Sequence, residues 1–274
     1  MYNISNNPQF SLELNKSGSG ALWILLSRHI TDIDDFRNNK EYITVLVYKN
    51  DGKKVYYPFD PPPYIDGVRI NSPHYLCQTK IANETPRKMT LVVSQYEKST
   101  TIHFTLRIYS TLPFTLKRIG DPFKYEQKIT TGKCLFCEVV FEIFKSTNII
   151  LCFAAGKWQG QSAGGCMNNR TTYNNNPRYQ FKVESDCSIF IELKAPKEFQ
   201  IGFDIVCVVA NDPKNPRYFK MKQSGPYRSG FVVKTLDITA GTYDVVPSTF
   251  YPGQEAAFFM TVRCTIPTKV SKLQ

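Results

Sequence analysis

The length, composition and charge of the chain set the first limits on its function. The 274 residues suffice for two domains of ordinary size, and 42% hydrophobic against 21% charged residues exclude general disorder. Aromatic residues reach 14%, and 17 Pro and 15 Gly interrupt the apolar runs, which favours strands and turns over helices. The formal net charge of +11 indicates an attraction to anions: phospholipid headgroups, nucleic acid or acidic proteins.

The cysteines and the first residues bear on the compartment. Among the eight cysteines, Cys207 and Cys264 lie in alternating apolar runs and resemble small buried residues of strands. Residues 1–7 lack the charged start and apolar stretch of a signal peptide. We therefore predict free thiols, a cytoplasmic location with membrane association, and no cofactor.

Alternation of apolar and polar residues predicts an all-β chain in both halves. The first half has strand patterns over residues 9–14, 21–26, 41–48, 53–57, 89–93 and 101–109. Asp51-Gly52 separates two of these runs and favours a hairpin, because both central turn residues need positive φ. The second half has strand patterns over residues 178–183, 188–193, 201–209, 231–236 and 256–264. Short strands with frequent turn signals indicate sandwiches or barrels.

The two halves also resemble each other. Residues 6–14, 21–26 and 104–108 are matched, in the same order, by residues 175–183, 188–193 and 260–264. Because the start, the second strand and the last strand recur, the sequence predicts a tandem duplication.

Two patterns suggest a nucleophile, and neither has its partners. Ser162 lies in a Gly-x-Ser-x-Gly motif, but no apolar strand leads into it and all three histidines, at positions 29, 74 and 103, precede it. Cys166 follows Gln161 as in papain-like proteases, but it lacks the following aromatic residue and a downstream histidine. We predict no catalytic residue and no enzyme activity in this chain.

Metal sites have equally little support. Cys134 and Cys137 form a single Cys-x-x-Cys without a second pair, which disfavours zinc. Asp32, Asp34 and Asp35 could offer carboxylates to calcium from a turn. They lack the spacing of a calcium loop, so a solvated acidic loop is the favoured interpretation and no metal is predicted.

Basic residues near turns and strand ends are the candidate binding residues. For anionic membranes they are Lys53, Lys54, Lys117 and Arg118 in the first half and Arg217, Lys220 and Lys222 in the second. A merely solvated basic surface is the alternative, because the 34 Lys and Arg are scattered. No nucleic-acid partner is predicted.

One segment carries a family resemblance. Trp158-Gln159-Gly160-Gln161-Ser162-Ala163-Gly164-Gly165-Cys166, followed by Asn176-Pro177-Arg178-Tyr179, resembles the opening of the calpain β-sandwich domain. Calpains have Trp-x-x-Gly-x-Ser/Thr-Ala-Gly-Gly-Cys there, and then Asn-Pro-x-aromatic. Asn7-Pro8-Gln9-Phe10 repeats the second part. The chain is similar to the non-catalytic C-terminal region of calpains that carry two such domains in tandem.

The resemblance implies two tandem antiparallel β-sandwiches of the calpain domain III type. We expect them over residues 1–126 and 158–274, joined by a linker over residues 127–157. Within the linker, residues 134–155 interrupt the family pattern, because Gly132-Lys133 recurs as Gly156-Lys157. A translated intron or a lineage insertion would explain this insert.

The resemblance also implies a function. The two sandwiches would pack on the cysteine protease core of the parent chain, regulate it, and bind anionic phospholipid or endosomal sorting proteins. Two alternatives stay open. The chain would count as part of a calcium-dependent cysteine endopeptidase through its parent, or it would be a stand-alone lipid- or protein-binding tandem sandwich.

Overall fold

A computed structural model describes residues 3–39, 41–68, 70–82, 85–96, 101–121, 123, 125–128 and 156–274. The chain divides into two compact units, Tyr2–Gly120 and Asp121–Gln274. Both consist almost entirely of antiparallel strands, so the predicted all-β class is confirmed. The division places residues 121–126, which we assigned to the first domain, with the second unit. The predicted insert lies outside the described residues.

The first unit is a sandwich of two sheets. Its elements are β1 (Gln9–Leu14), β2 (Gly20–Arg28), α1 (Ile33–Arg37), β3 (Ile43–Tyr48), β4 (His74–Ile81), β5 (Lys88–Gln95), β6 (Phe104–Ser110) and β7 (Phe114–Arg118). One sheet has the strand order β3-β5-β1-β7 and the other the order β4-β2-β6. Alternate residues of each strand face the other sheet, as in Leu12, Ile24 and Val45, which are completely buried.

The predicted hairpin after β3 is right in its turn and wrong in its second arm. Asp51 and Gly52 both have positive φ, at 59° and 67°. Residues 53–57, however, do not form a strand. The buried side chain of Gln9 accepts a hydrogen bond from the Val55 amide at 2.9 Å and donates to the Val55 carbonyl at 2.7 Å. This side chain takes the place of a neighbouring strand, and Val55 joins a small second core with Ile4.

The second unit repeats the architecture with additional strands. Its strands are β8 (Tyr125–Lys128), β9 (Gly156–Trp158), β10 (Tyr179–Val183), β11 (Cys187–Lys194), β12 (Gln200–Ala210), β13 (Met221–Gln223), β14 (Arg228–Ser229), β15 (Phe231–Ile238), β16 (Gly241–Thr249), β17 (Ala256–Cys264) and β18 (Val270–Lys272). Two short 3-10 helices, Gly160–Ser162 and Tyr173–Asn175, lie between β9 and β10. One sheet has the order β13-β12-β16-β10-β18, with β14 also on β12. The other has the order β15-β11-β17-β8, with β9 also on β17.

The two units share one topology. The sheet β3-β5-β1-β7 corresponds to β12-β16-β10-β18, and β4-β2-β6 corresponds to β15-β11-β17. This is the arrangement that a tandem duplication would produce. The sequence match differs from the observed strand pairing in one respect. It equates Phe104 with Met260, which pairs with Leu193, and so would place Phe104 opposite Leu26. In the structure Leu26 pairs with Leu106 instead. An offset of two residues keeps each side chain on its face of the sheet.

Candidate anion-binding surface

Residues 158–176, the glycine- and asparagine-rich run near the start of the second unit, close its core. Trp158 is completely buried, its indole nitrogen donates to the Pro247 carbonyl at 3.0 Å, and its ring lies 4.4 Å from that of Phe258. The buried side chain of Asn176 accepts from the Gly164 amide at 3.1 Å and donates to the Gly165 carbonyl at 2.7 Å. The glycines and the asparagine therefore form one hydrogen-bonded loop against the sandwich.

Both candidate nucleophiles are parts of this loop. The Ser162 hydroxyl donates to the Gln159 carbonyl at 2.8 Å and accepts from the Gln159 amide at 2.9 Å, so it caps a short helical turn. Cys166 is buried, and its sulfur accepts a hydrogen bond from the Asn169 side-chain amide at 3.7 Å. These surroundings supply the hydrogen bonds of a folded loop rather than a general base.

The three aspartates considered for a metal lie in and beside the short helix α1, where we had expected a turn. Asp32 caps this helix by accepting from the Asp35 amide at 2.8 Å. Asp35 accepts a hydrogen bond from the Thr31 amide and pairs with buried Arg28 at 2.7 Å, and these two partners, Thr31 foremost, lower the pKa of the Asp35 carboxyl. Within the described ranges, no group of three or more His, Cys, Asp or Glu side chains could hold a metal ion.

A cleft of about 460 Å3 adjoins this acidic segment. Its walls include His29 and His103, whose rings stack with centroids 6.5 Å apart. A ring nitrogen of His29 lies 2.7 Å from the Thr105 hydroxyl, which accounts for one polar contact of that ring. The lining includes both Arg28 and the carboxylates Asp35 and Glu41, so the cleft has no single charge that would select an anion or a cation.

The basic candidates of the first unit separate into two faces. Lys117 pairs with Ser11 across β1 and β7, while Arg118 pairs with Phe10, so their side chains leave opposite faces of the sheet. The turn that carries Lys53 packs on the face of Lys117, because a Cβ on Gly52 would contact Ser11. Lys54 instead has its ammonium group 6.0 Å from the Tyr56 ring. The turn of Lys53 and the side chain of Lys117 thus lie on the same face of the sheet.

The basic candidates of the second unit lie together. We call residues 207–223, which join β12 to β13, the basic hairpin. It carries four exposed cations against one carboxylate, Asp212; the cations are Lys214, Arg217, Lys220 and Lys222. In the part of the chain that the structure describes, none of these cations forms an ion pair. Lys214 was not among our candidates, although it lies in the same loop.

Two contacts hold the basic hairpin on the sandwich. The Cys207 amide donates to the Lys220 carbonyl at 3.0 Å, which continues the pairing of β12 with β13. Phe219 is buried, and its ring lies 5.8 Å from that of Tyr243 in the core. Because Phe219 faces inward, Lys220 and its neighbours are presented to solvent.

Apolar side chains accompany these cations. A β-bulge interrupts the pairing of β12 between Cys207 and Val209. Val208 and Val209 are consequently both exposed, by 50% and 54%, where regular alternation would have buried one of them. The sequence gives no direct sign of this bulge, so the exposed valines were missed.

In the described ranges, no helix has the length and apolarity needed to cross a bilayer.

Comparison with known proteins defines the class of this fold. Residues 154–263 match the family model described as calpain large subunit, domain III. The β-sandwich of the second unit thus matches calpain domain III, and the predicted resemblance to calpains is confirmed.

The similarity to particular proteins extends over the whole chain. It is 48% identical over 276 residues to calpain-7 of Sus scrofa and 46% identical over 275 residues to calpain-7 of Homo sapiens. It is 26% identical over 282 residues to the calpain-like protease palB/RIM13 of Aspergillus oryzae, over 98% of this chain and 29% of that protein. The calpain-7 matches cover 100% of this chain and only 31% of the relatives. The chain thus aligns over its whole length with a region of calpain-7 and spans about a third of those relatives.

Proposed function

We propose that residues 1–274 act as a non-catalytic binding and regulatory region of a calpain-7-like cytoplasmic cysteine protease, and that they pack on its protease core. The similarity to calpain-7 supports this, because it covers the whole chain and under a third of the relatives. The surroundings of Ser162 and Cys166 support it too, because both residues serve a structural loop.

The basic hairpin is the proposed membrane contact. Four exposed cations would face anionic headgroups, and each basic side chain near such a surface adds roughly 1 kcal/mol. Val208 and Val209 would meet the boundary between headgroups and acyl chains. The observation that carries this proposal is the common location of exposed cations and exposed valines on one loop. Lys53 and Lys117 would add a weaker contact from the first unit.

Vesicle sedimentation with a matched pair of variants tests this proposal. Arg217→Gln/Lys220→Gln/Lys222→Gln removes three charges from the basic hairpin, and we expect it to weaken binding to phosphatidylserine vesicles at least tenfold at low salt. The control, Lys182→Gln/Lys269→Gln/Lys272→Gln, removes three exposed charges elsewhere in the same unit and should have a much smaller effect.

The outcome distinguishes a local site from overall charge. An equal loss in both variants would contradict a role for the basic hairpin and leave only nonspecific attraction to a protein of net charge +11. If the unaltered chain ignores anionic vesicles at low salt, the membrane proposal fails. Protein partners, endosomal sorting proteins among them, would then be the candidates.

A further inference from the structure

A loop of the first unit, residues 59–64, exposes several apolar side chains next to one another, and we call it the proline loop. Phe59 is 70% exposed and Tyr64 is 40% exposed. Pro61 and Pro62, which lie between them, are exposed as well. The last four residues of the loop read Pro-Pro-Pro-Tyr. Exposed apolar side chains that adjoin one another are typical of an interaction site.

Both ends of the proline loop are fixed to strand β3. At the first end, the buried Tyr48 hydroxyl donates to the carbonyl of Pro58 at 2.9 Å, and Pro58 is itself buried. At the other end, the Tyr64 amide donates to the Val47 carbonyl at 2.7 Å, and the Val47 amide donates to the Ile65 carbonyl at 3.1 Å. Ile65 packs on the core of the sandwich. Because the fold holds the loop at both ends, less entropy is lost when a partner binds it.

The three successive prolines favour an extended backbone with free carbonyls. Each proline ring fixes φ at about −65° and disfavours helical angles in the residue before it. Polyproline II is the regular form with these angles, and it has no internal hydrogen bonds. Among the described residues, none donates to the carbonyls of Pro61, Pro62 or Pro63. These carbonyls are therefore available to donors of a partner.

Exposure along the proline loop follows the period of a polyproline II helix. With three residues per turn, Pro61 and Tyr64 share one edge, and Pro62 and Pro63 occupy the other two. Pro61, Pro62 and Tyr64 are exposed, whereas Pro63 is only partly exposed. Two edges are thus open to a partner, and the third is partly covered by the protein.

We propose that the proline loop is the binding site for a WW-type domain of a partner protein. Such domains read polyproline II segments in a groove lined by aromatic side chains. The adjacent rings of Pro61 and Pro62 fill this groove, and Tyr64 enters a second pocket one turn further along. Pro63 points away from the groove, so the pattern that is read is Pro-Pro-x-Tyr.

The structure disfavours the other common reader of such segments in this loop. SH3 domains recognise Pro-x-x-Pro, a spacing that Pro58 and Pro61 have. Pro58 is buried, and its carbonyl already accepts from Tyr48. Only one of the two prolines can therefore reach a groove, whereas all three residues that a WW-type domain reads are exposed.

One contact within the chain gives way when the partner binds. The Lys49 ammonium lies 3.6 Å from the centre of the Tyr64 ring. A cation–π contact at an exposed position is weak, and the lysine side chain is flexible. The Tyr64 ring can therefore exchange this contact for the walls of an aromatic pocket.

Calorimetric titration of the chain with a set of isolated WW domains of the class that binds Pro-Pro-x-Tyr peptides tests the proposal. We expect Pro62→Ala and Tyr64→Ala each to weaken binding at least about tenfold, because each removes a ring that the partner buries. The matched control, Pro63→Ala, removes a proline from the same loop and keeps Pro-Pro-x-Tyr. It should change the affinity by less than about threefold.

A second measurement needs no substitution. In isotopically labelled chain, the amide signals of Phe59, Asp60 and Tyr64 should shift on addition of a WW domain. Shifts confined to other residues would overturn the proposal, and so would the absence of binding by every WW domain of the set. Equal losses in Pro62→Ala and Pro63→Ala would show that the prolines only stiffen the loop. Because no lipid is present, these outcomes do not depend on the membrane proposal.

Discussion

At the scale of single residues, Asp204 is a buried carboxylate whose ionised form is destabilised by loss of contact with water. Its side chain is 2% exposed and accepts a hydrogen bond from the Tyr173 hydroxyl at 2.7 Å. Burial raises the pKa of Asp204, although hydrogen bonds from Tyr173 and Gln223 oppose the shift. Because Tyr173 belongs to the loop that opens the second unit, Asp204 ties this loop to β12.

The raised pKa predicts a pH dependence of stability. The folded state binds a proton at Asp204 more readily than the unfolded state, so its contribution is complete below the ordinary pKa of 3.8 and is lost as pH rises through the folded value. Asp204→Asn lacks this titration. We expect the unfolding free energy of the unaltered protein, relative to this variant, to fall as pH rises from below 3.8 towards neutrality.

Urea unfolding from pH 3 to 7 measures this difference. Trp158 fluorescence in a Trp23→Phe background reports on the second unit, since the chain has 2 Trp. A relative stability that rises with pH would show that the pKa of Asp204 is lowered in the folded state, contrary to this account.

Gly165 and Gly253 have nearly the same φ, so replacing each by Ala distinguishes the cost of backbone strain from the cost of a steric clash. Gly165 and Gly253 have φ of 75° and 76°, but a Cβ would lie 2.6 Å from the Pro252 nitrogen at Gly165 and would meet nothing within 4 Å at Gly253. Gly253→Ala should cost about 1 kcal/mol from backbone strain alone, and Gly165→Ala clearly more. Equal losses in thermal or urea unfolding would show that the packing of the opening loop is not tight.

At the scale of elements, the period of apolar residues predicted most strands, and the failures have physical causes. Strand β16 was missed because Pro247 is unsuited to a central strand. In the structure Pro247 lies beyond Val245, the last β16 residue paired with β10, so no neighbour needs its missing amide hydrogen. Its carbonyl instead accepts from Trp158. Such a contact joins residues far apart in sequence and cannot be inferred from local pattern.

For the candidate binding residues too, the sequence predicts proximity between neighbours along the chain but not between residues that packing brings together. Arg217, Lys220 and Lys222 are neighbours in sequence, so their common location on the basic hairpin could be predicted. The common face of Lys53 and Lys117 depends on the packing of a turn against β1, which sequence spacing does not reveal. The exposure of Val208 likewise depends on a bulge.

Strands β6 and β17 differ in how completely they are covered, and stability should show it. Phe258 is 0% exposed and contacts two other aromatic rings, so Phe258→Ala should cost about 3–5 kcal/mol. Phe104→Ala in the chain of residues 1–274 should cost distinctly less, because Phe104 is already partly exposed. Urea unfolding of both variants measures the difference. An equal or larger loss at Phe104 would contradict the description of an incompletely covered side.

At the scale of the whole molecule, the duplication was visible in three short sequence matches, while its consequences needed the fold. The two units have the same strand order in both sheets. Among the described residues, β8 and β9 on β17, and β13 and β14 on β12, have no equivalents in the first unit. Strand β9 helps to close the core of the second unit, and β13 forms one arm of its basic hairpin. The residues that differ between the copies are therefore the ones that give each unit its own surface.

Our central proposal is that this calpain-like region serves as a binding region and does not itself cleave peptide bonds. A peptidase and esterase assay of the purified chain tests it most directly, with Ser162→Ala and Cys166→Ala as matched variants. We predict no hydrolysis of casein or of a p-nitrophenyl ester above the level of a heat-denatured sample, because among the described residues Ser162 bonds to the Gln159 backbone and Cys166 to the Asn169 amide, neither of which is a general base. Hydrolysis by the unaltered chain that either substitution abolishes would contradict the account.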